Sequence, residues 1–147
     1  FSNPDVDEKT VRECAKRAMA GDFINELSDG YQTIVGEKGF GLSGGQKQRV
    51  SIARAILKDA PVFVFDDSTS ALDAETEKKL LENLRKYYKE KTIFIAAHKM
   101  SSVIDCDEII YLSKGKIVER GTFDDLMKLD GHFADVYKTQ MAKQTVA

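Results

Sequence analysis

The stretch PVFVFDD, residues 61–67, decides the fold. It is a continuous apolar run that ends in two carboxylates, a pattern typical of a strand buried on both faces. TIFIAAH at 92–98 repeats the pattern, and an apolar stripe of helical spacing lies between the two runs, over residues 73–88. A strand, a helix and a strand of these lengths predict a βαβ unit with two parallel strands and therefore an α/β fold.

The rest of the chain contains further helical patterns and one hairpin. Periodicity and capping signals predict helices from Asp5 to a stop at Gly21, and at 23–27, 44–57, 122–129 and 132–141. Two alternating runs flank Lys114-Gly115-Lys116, which predicts an antiparallel hairpin over residues 108–121.

Composition limits the classes of function. The chain has 147 residues, of which 42% are hydrophobic and 31% charged, and its net charge of −2 gives no reason to expect a nucleic-acid partner. Cys14 and Cys106 lack the spacing of metal ligands, which favours two reduced thiols. No apolar run reaches the ~18 residues of a membrane span. The start at Phe1 rather than Met suggests a piece of a longer protein.

Polar residues follow both predicted strands. Asp66 and Asp67 end the first run and His98 ends the second. Ligands of open α/β sheets gather at the carboxyl ends of the strands, and a carboxylate there suits Mg²⁺, which takes one or two protein oxygens together with water and phosphate. Strands often end in Asp, so these residues alone are a weak signal.

A glycine-rich turn, GFGLSGGQKQRV at 39–50, is a sharper signal. Ser43 can cap a helix that begins at Gly44, which leaves N–H groups and the positive end of the helix dipole open to an anion. Gly44 and Gly45 would let a phosphate approach the backbone closely. Two glycines in a first helical turn cost roughly 1 kcal/mol each against Ala, which favours a functional reason for them.

The lysine-bearing phosphate loop G-x-x-x-x-G-K-[ST] occurs nowhere in the 147 residues. A magnesium carboxylate and a phosphate-binding helix without that loop make half of a nucleotide site.

Four motifs, in order and in spacing, resemble the nucleotide-binding domain of ABC transporters. LSGGQ at 42–46 is similar to the signature motif, VFVFDD at 62–67 to Walker B, SALD at 70–73 to the D-loop and AAH at 96–98 to the H-loop. VGEKG at 35–39 resembles the X-loop of exporters.

The resemblance implies a fold. It is the distal half of a P-loop NTPase-like core, a parallel sheet with flanking helices, together with the ABC helical subdomain. Residues 1–47 would form the helical subdomain that ends in the signature motif, and residues 48–147 the distal part of the ATP-binding core.

The resemblance also implies ATP and Mg²⁺ as cofactors and a head-to-tail dimer of two nucleotide-binding domains. The signature residues Ser43, Gly44, Gly45 and Gln46 would close over ATP held by the partner domain. In the chain's own site, Asp66 would bind Mg²⁺, Asp67 would occupy the position of the catalytic carboxylate, and His98 would contact the γ-phosphate.

Two further residues would serve the assembly. Asp73 would reach across the dimer, and Glu37 with its neighbours would touch the transmembrane helices. The domain would then lie at the cytoplasmic face of the cell membrane.

The sequence departs from the family pattern in two ways. The Walker A loop, the adenine-stacking aromatic and the Q-loop are missing and would be expected before Phe1. The family's catalytic glutamate is replaced by Asp67, which is one methylene shorter. A carboxylate withdrawn by ~1 Å can cost on the order of 10²-fold in rate. This favours the degenerate half of an asymmetric exporter, paired with a nonidentical partner.

Two alternatives remain open at this stage. The chain could belong to a soluble ABC-superfamily ATPase or regulator that transports nothing, although the X-loop argues against it. The fragment could also be an interaction module that turns over no nucleotide unless it is reassembled with its missing half.

Overall fold

The computed structural model of the chain describes residues 6–35 and 41–145. Two compact units are formed, residues 1–97 and residues 98–147, and each is described by itself. The predicted division into a helical subdomain and a core at residue 47 stays a prediction.

The elements of the described residues follow one another in chain order. They are α1 Glu8–Arg17, α2 Gly21–Glu26, α3 Gly44–Leu57, β1 Val62–Asp66, α4 Ala74–Tyr87, β2 Thr92–Ala96, β3 Ile109–Ser113, β4 Lys116–Gly121, α5 Phe123–Leu129 and α6 His132–Thr145, with short 3-10 helices at Gly30–Gln32 and Met100–Ser102.

The βαβ prediction is confirmed in the first unit. Strands β1 and β2 are parallel neighbours, paired from Val62↔Thr92 to Asp66↔Ala96, and α4 connects them. The predicted stripe of α4 faces the core. Its members are buried: Leu80, Leu81, Leu84 and Tyr88.

The prediction that both strands are buried on both faces is wrong for the described residues. Phe63 and Phe65 are buried, but Val64 is 68% exposed and Phe94 57% exposed. The reason is that Phe63 and Phe65 pack on one face into a core cluster with residues of α3 and α4, which include Ile52 and Ile56 of α3. The opposite face of the strand pair carries apolar side chains without such cover from the described elements.

Two details of the first helices correct the predictions. Helix α1 is capped by Asp7, whose Oδ1 accepts a hydrogen bond from the Thr10 N–H at 2.9 Å, while Asp5 lies outside the described residues. Gly21 begins α2 instead of ending α1. The chain turns earlier, because Met19 adopts a left-handed φ of 58° directly after the C-cap Ala18.

The second unit contains the predicted hairpin. β3 and β4 are antiparallel and are joined by Lys114 and Gly115, whose φ values of 50° and 73° fit a two-residue turn with two left-handed positions. Thr122 caps α5 through a capping box, as predicted. Helix α6 begins at His132 as predicted but continues to Thr145.

A buried carboxylate holds the start of α6. Glu119 on β4 is only 8% exposed and accepts hydrogen bonds from the N–H groups of His132 at 2.6 Å and Phe133 at 3.0 Å. A carboxylate at a helix N-terminus is favoured by the helix dipole, so β4 anchors α6.

Within residues 6–35 and 41–145, none of the helices combines the length and the hydropathy that a membrane crossing needs.

Candidate functional site

The N-terminal end of α3 has the capped geometry that the sequence predicts. The Oγ of Ser43 accepts a hydrogen bond from the Gln46 N–H at 3.2 Å, and the Oε1 of Gln46 accepts one from the Ser43 N–H at 2.8 Å. This capping box occupies the side chain of Gln46. The N–H groups of Gly44 and Gly45 belong to the first helical turn, have no acceptor within the helix, and are the ones left for an outside anion.

The two glycines differ in what surrounds them. A Cβ at Gly45 would lie 2.9 Å from the carbonyl oxygen of Ala71, closer than side chains tolerate, whereas a Cβ at Gly44 would meet the Ala71 Cβ at an ordinary 3.5 Å. The sequence analysis attributed both glycines to phosphate. The structure adds a packing reason for Gly45 and none for Gly44.

Asp66 and Asp67 lie at the carboxyl end of β1, and both are exposed. Asp66 is the last residue of the ladder, opposite Ala96. Asp67 adopts a left-handed φ of 46°, a conformation that Asp tolerates better than most residues. Its N–H donates to the Ala96 carbonyl at 2.9 Å, which ties the turn to β2.

The described residues fit a magnesium ion held through few protein ligands. No group of three or more His, Cys, Asp or Glu side chains in the described ranges could enclose a metal. Magnesium commonly uses one or two carboxylates and takes its remaining ligands from water and substrate phosphates. The exposed carboxylate of Asp66 at the strand end suits that mode of binding.

The residues 67–73, which we name the Asp67 loop, are tied to α3 by the side chain of Gln48. Its Nε2 donates to the Ser70 Oγ at 3.0 Å and to the Asp67 carbonyl at 3.3 Å, and its Oε1 accepts from the Ala71 N–H at 2.9 Å. Gln48 thus joins the helix that carries the glycine turn to the loop that carries Asp67. Nothing in the sequence motifs pointed to this residue.

A second contact holds the Asp67 loop, at Thr69. Thr69 is buried and donates its hydroxyl to Glu77 Oε1 of α4 at 2.7 Å, and Glu77 itself is 2% exposed. A buried carboxylate needs such partners. The loop is therefore held by two helices as well as by β2.

Asp73 has a local role in the described structure. It is the N-cap of α4, and its Oδ1 accepts a hydrogen bond from the Thr76 N–H at 2.9 Å. This bond and the one to the Thr76 hydroxyl hold the pKa of Asp73 below its usual range. The predicted reach of Asp73 across a dimer stays a prediction.

His98 belongs to the second unit and is exposed. It follows β2 by two residues and precedes the 3-10 helix at Met100–Ser102. Its carbonyl accepts a hydrogen bond from Gln140 Nε2 of α6 at 2.7 Å.

The structure brings part of the predicted site together. Ser43 to Gln46 and the Asp67 loop lie in one unit and touch through Gly45 and Ala71. His98 is described with the other unit. Glu37, predicted to face transmembrane helices, lies outside the described residues, as does most of the stretch that resembles the X-loop.

Comparison with known proteins identifies relatives along most of the chain. The family model of the ABC transporter matches residues 2–70. An uncharacterized ABC transporter ATP-binding protein of Bacillus subtilis is 46% identical over 95% of this chain and 24% of its own length. An ATP-dependent lipid A-core flippase of Legionella pneumophila is 47% identical over 92% of this chain and 23% of its own length.

A solved structure gives the same result. The structure of a bacterial Atm1-family ABC exporter with ATP bound matches with a TM-score of 0.91 and 40% sequence identity, over 95% of this chain and 25% of that one. The chain thus spans about a quarter of the length of the relatives that it matches. With the motifs, the fold and these relatives in agreement, the chain belongs to the ATP-binding domains of ABC transporters, of the exporter type.

Proposed function

We propose that the chain is part of the ATP-binding domain of an ABC exporter, in which ATP binding and hydrolysis at a head-to-tail dimer interface drive export across the membrane. The observation that carries the proposal is the capped N-terminal end of α3. There, Ser43 and two glycines leave N–H groups available to an anion, at the position of the family's signature motif.

In this proposal the end of α3 serves ATP bound by the partner domain. The N–H groups of Gly44 and Gly45 and the positive end of the helix dipole would stabilise the γ-phosphate as charge develops on it. Ser43 and Gln46 hold the first turn in shape through the capping box. Gln46 thus contributes to ATP binding by positioning the turn.

The carboxyl end of β1 serves the chain's own nucleotide. Asp66 would bind Mg²⁺, which neutralises phosphate charge when it is bound. Asp67 would orient the attacking water, and His98 would contact the γ-phosphate. Because positioning and charge stabilisation carry most of phosphoryl transfer, the placement of these side chains would decide how fast the site turns over.

The same proposal assigns different rates of ATP hydrolysis to the two sites of the dimer. The carboxylate of Asp67 is one methylene shorter than the glutamate of the family pattern, so we expect slow turnover at the chain's own nucleotide. The intact signature turn would support normal turnover of the nucleotide that the partner domain binds. The partner domain would then be nonidentical, with a glutamate at the corresponding position.

The exporter relatives, the X-loop resemblance and the net charge support the remaining assignments. The domain would lie at the cytoplasmic face of the cell membrane and contact transmembrane segments through the region around Glu37. Nucleic acid is not expected as a partner.

Magnesium-dependent ATP hydrolysis, measured on the complete protein that contains this chain and on the isolated 147 residues, tests the proposal. We expect saturable hydrolysis by the complete protein and none above background by the isolated chain, because it lacks the lysine loop that grips the β- and γ-phosphates. Turnover by the pure 147-residue chain that disappears in Asp66→Ala would contradict the assignment of half a site.

A further inference from the structure

Gln140, on α6, makes two hydrogen bonds to the backbone on either side of residue 99. Its Nε2 donates to the His98 carbonyl at 2.7 Å, and its Oε1 accepts from the Met100 N–H at 3.0 Å. One amide group therefore holds a backbone acceptor and a backbone donor that are two residues apart.

This contact falls where regular structure is missing. The ladder of β2 ends at Ala96, and the 3-10 helix begins at Met100. The first N–H groups of a helical turn have no partner inside it, so Gln140 provides the partner that the Met100 N–H would otherwise lack. Fixing both peptide groups restricts the backbone dihedral angles that determine where the His98 side chain leaves the chain.

Helix α6 provides a firm base for this contact. Phe133 is 1% exposed in the core of the second unit, and Val136 and Tyr137 pack against the same cluster. Gln140 lies seven residues after Phe133 and is therefore on the same face of the helix. An apolar side chain would be expected at this half-buried position. The amide is found there with two hydrogen bonds, as buried polar groups require.

We propose that Gln140 is a positioning residue for His98, which fixes the backbone of residues 98–100 so that the imidazole meets the nucleotide in one orientation. The inference rests on the proposed function, in which His98 contacts the γ-phosphate. Gln140 does not touch the nucleotide and acts through His98 alone.

The test measures steady-state ATP hydrolysis by the complete protein carrying Gly44→Asp, and every variant below is made in that background. Gly44→Asp places a negative charge against the partner's γ-phosphate, so the remaining hydrolysis reports the chain's own nucleotide, which His98 would contact. Gln140→Leu keeps the volume and suits the apolar face of α6 but removes both hydrogen bonds. We expect kcat to fall about tenfold, which is a smaller loss than the roughly 10²-fold that a 1 Å misplacement can cost. We expect KM for ATP to change by less than about twofold. Gln140→Ala should give the same loss. Lys143→Ala, an exposed change on the same helix, is the matched control and should leave kcat unchanged.

A double-mutant cycle with His98→Ala separates positioning from stability. If Gln140 acts through His98, adding Gln140→Leu to His98→Ala causes no further loss of kcat. Losses that multiply in the double variant would overturn the inference, as would an unchanged kcat in Gln140→Leu and Gln140→Ala when His98→Ala is impaired. If His98→Ala itself hydrolyses ATP normally, the proposed role of His98 fails, and this inference fails with it.

Discussion

The N-terminal end of α3 and the loop at the carboxyl end of β1 are in contact but differ in how closely they match the family pattern. At the end of α3, the Ser43–Gln46 capping box is complete in both directions, and the N–H groups of Gly44 and Gly45 are left for an anion. At the end of β1, Asp67 has a left-handed φ of 46° and carries a carboxylate shorter than the family pattern has there. In our proposal the first end is fully functional and the second is weakened.

The contact between the two ends explains how they can differ without separating. Gln48 joins α3 to the Asp67 loop at three atoms, and Gly45 lets the Ala71 carbonyl approach α3 closely. If the two ends serve two different nucleotides, the Asp67 loop is the direct physical link between the sites. Substitutions at either end, and in the link, should therefore have distinct effects.

The largest effect is expected from Gly44→Asp in the complete protein. The substitution places a negative charge where we expect the partner's γ-phosphate. At 4 Å, two like charges repel by about 4 kcal/mol at an effective dielectric of 20, which corresponds to roughly three decades in rate. Gly44→Asn, of the same size but uncharged, is the control, and steady-state phosphate release is the measurement. Equal losses in both variants would show that bulk matters and not charge.

A smaller effect is expected from substitutions at the packing contact between α3 and the Asp67 loop. Gly45→Ala and Gly44→Ala gain the same helix propensity, but only the Cβ at residue 45 would lie 2.9 Å from the Ala71 carbonyl. We expect Gly45→Ala to loosen the Asp67 loop by about 1–3 kcal/mol and Gly44→Ala to leave it unchanged. Hydrogen exchange of amides 67–72 in the complete protein measures this. Equal exchange rates in the two variants would contradict the packing reason for Gly45.

A still smaller effect is expected when only the hydrogen bonds from Gln48 to the Asp67 loop are removed. Gln48→Leu removes the hydrogen bonds to Asp67, Ser70 and Ala71 but keeps the volume. The loop keeps its hydrogen bonds to Glu77 of α4 and to Ala96 of β2. Each lost bond is worth about 0.5–1.5 kcal/mol, so we expect the Ala71 amide to exchange roughly tenfold faster and ATP turnover to fall by a few fold. Lys47→Ala, an exposed neighbour, is the control. An Ala71 amide that stays protected in Gln48→Leu would show that the link lies elsewhere.

Local sequence signals predicted much of this structure. Ser43 before two glycines and a helix-forming run located the start of α3 to the residue, because a cap depends only on neighbours in sequence. The apolar runs and the stripe between them gave the βαβ unit. Lys114-Gly115 gave the hairpin, since few two-residue turns match the twist of two strands.

Long-range contacts were not predictable in the same way. The exposed face of β1, with Val64 at 68%, depends on which elements pack against the strand, and an apolar run does not contain that information. Gln48, Glu119 and Gln140 make hydrogen bonds to backbone groups far away in sequence, and no spacing rule marks such residues. The roles of Asp67 and His98 came from the family resemblance and stay predictions.

The central claim is that the end of α3 works at full rate for the partner's nucleotide while Asp67 serves a site that is already slow. Asp67→Asn tests it most directly, with total ATP hydrolysis by the complete protein measured beside Gly44→Asp. We expect Asp67→Asn to lower the total rate severalfold at most, because the site that it damages contributes little, against the roughly three decades expected for Gly44→Asp. A loss in Asp67→Asn as large as that in Gly44→Asp would show that Asp67 is a working catalytic carboxylate and would contradict the account.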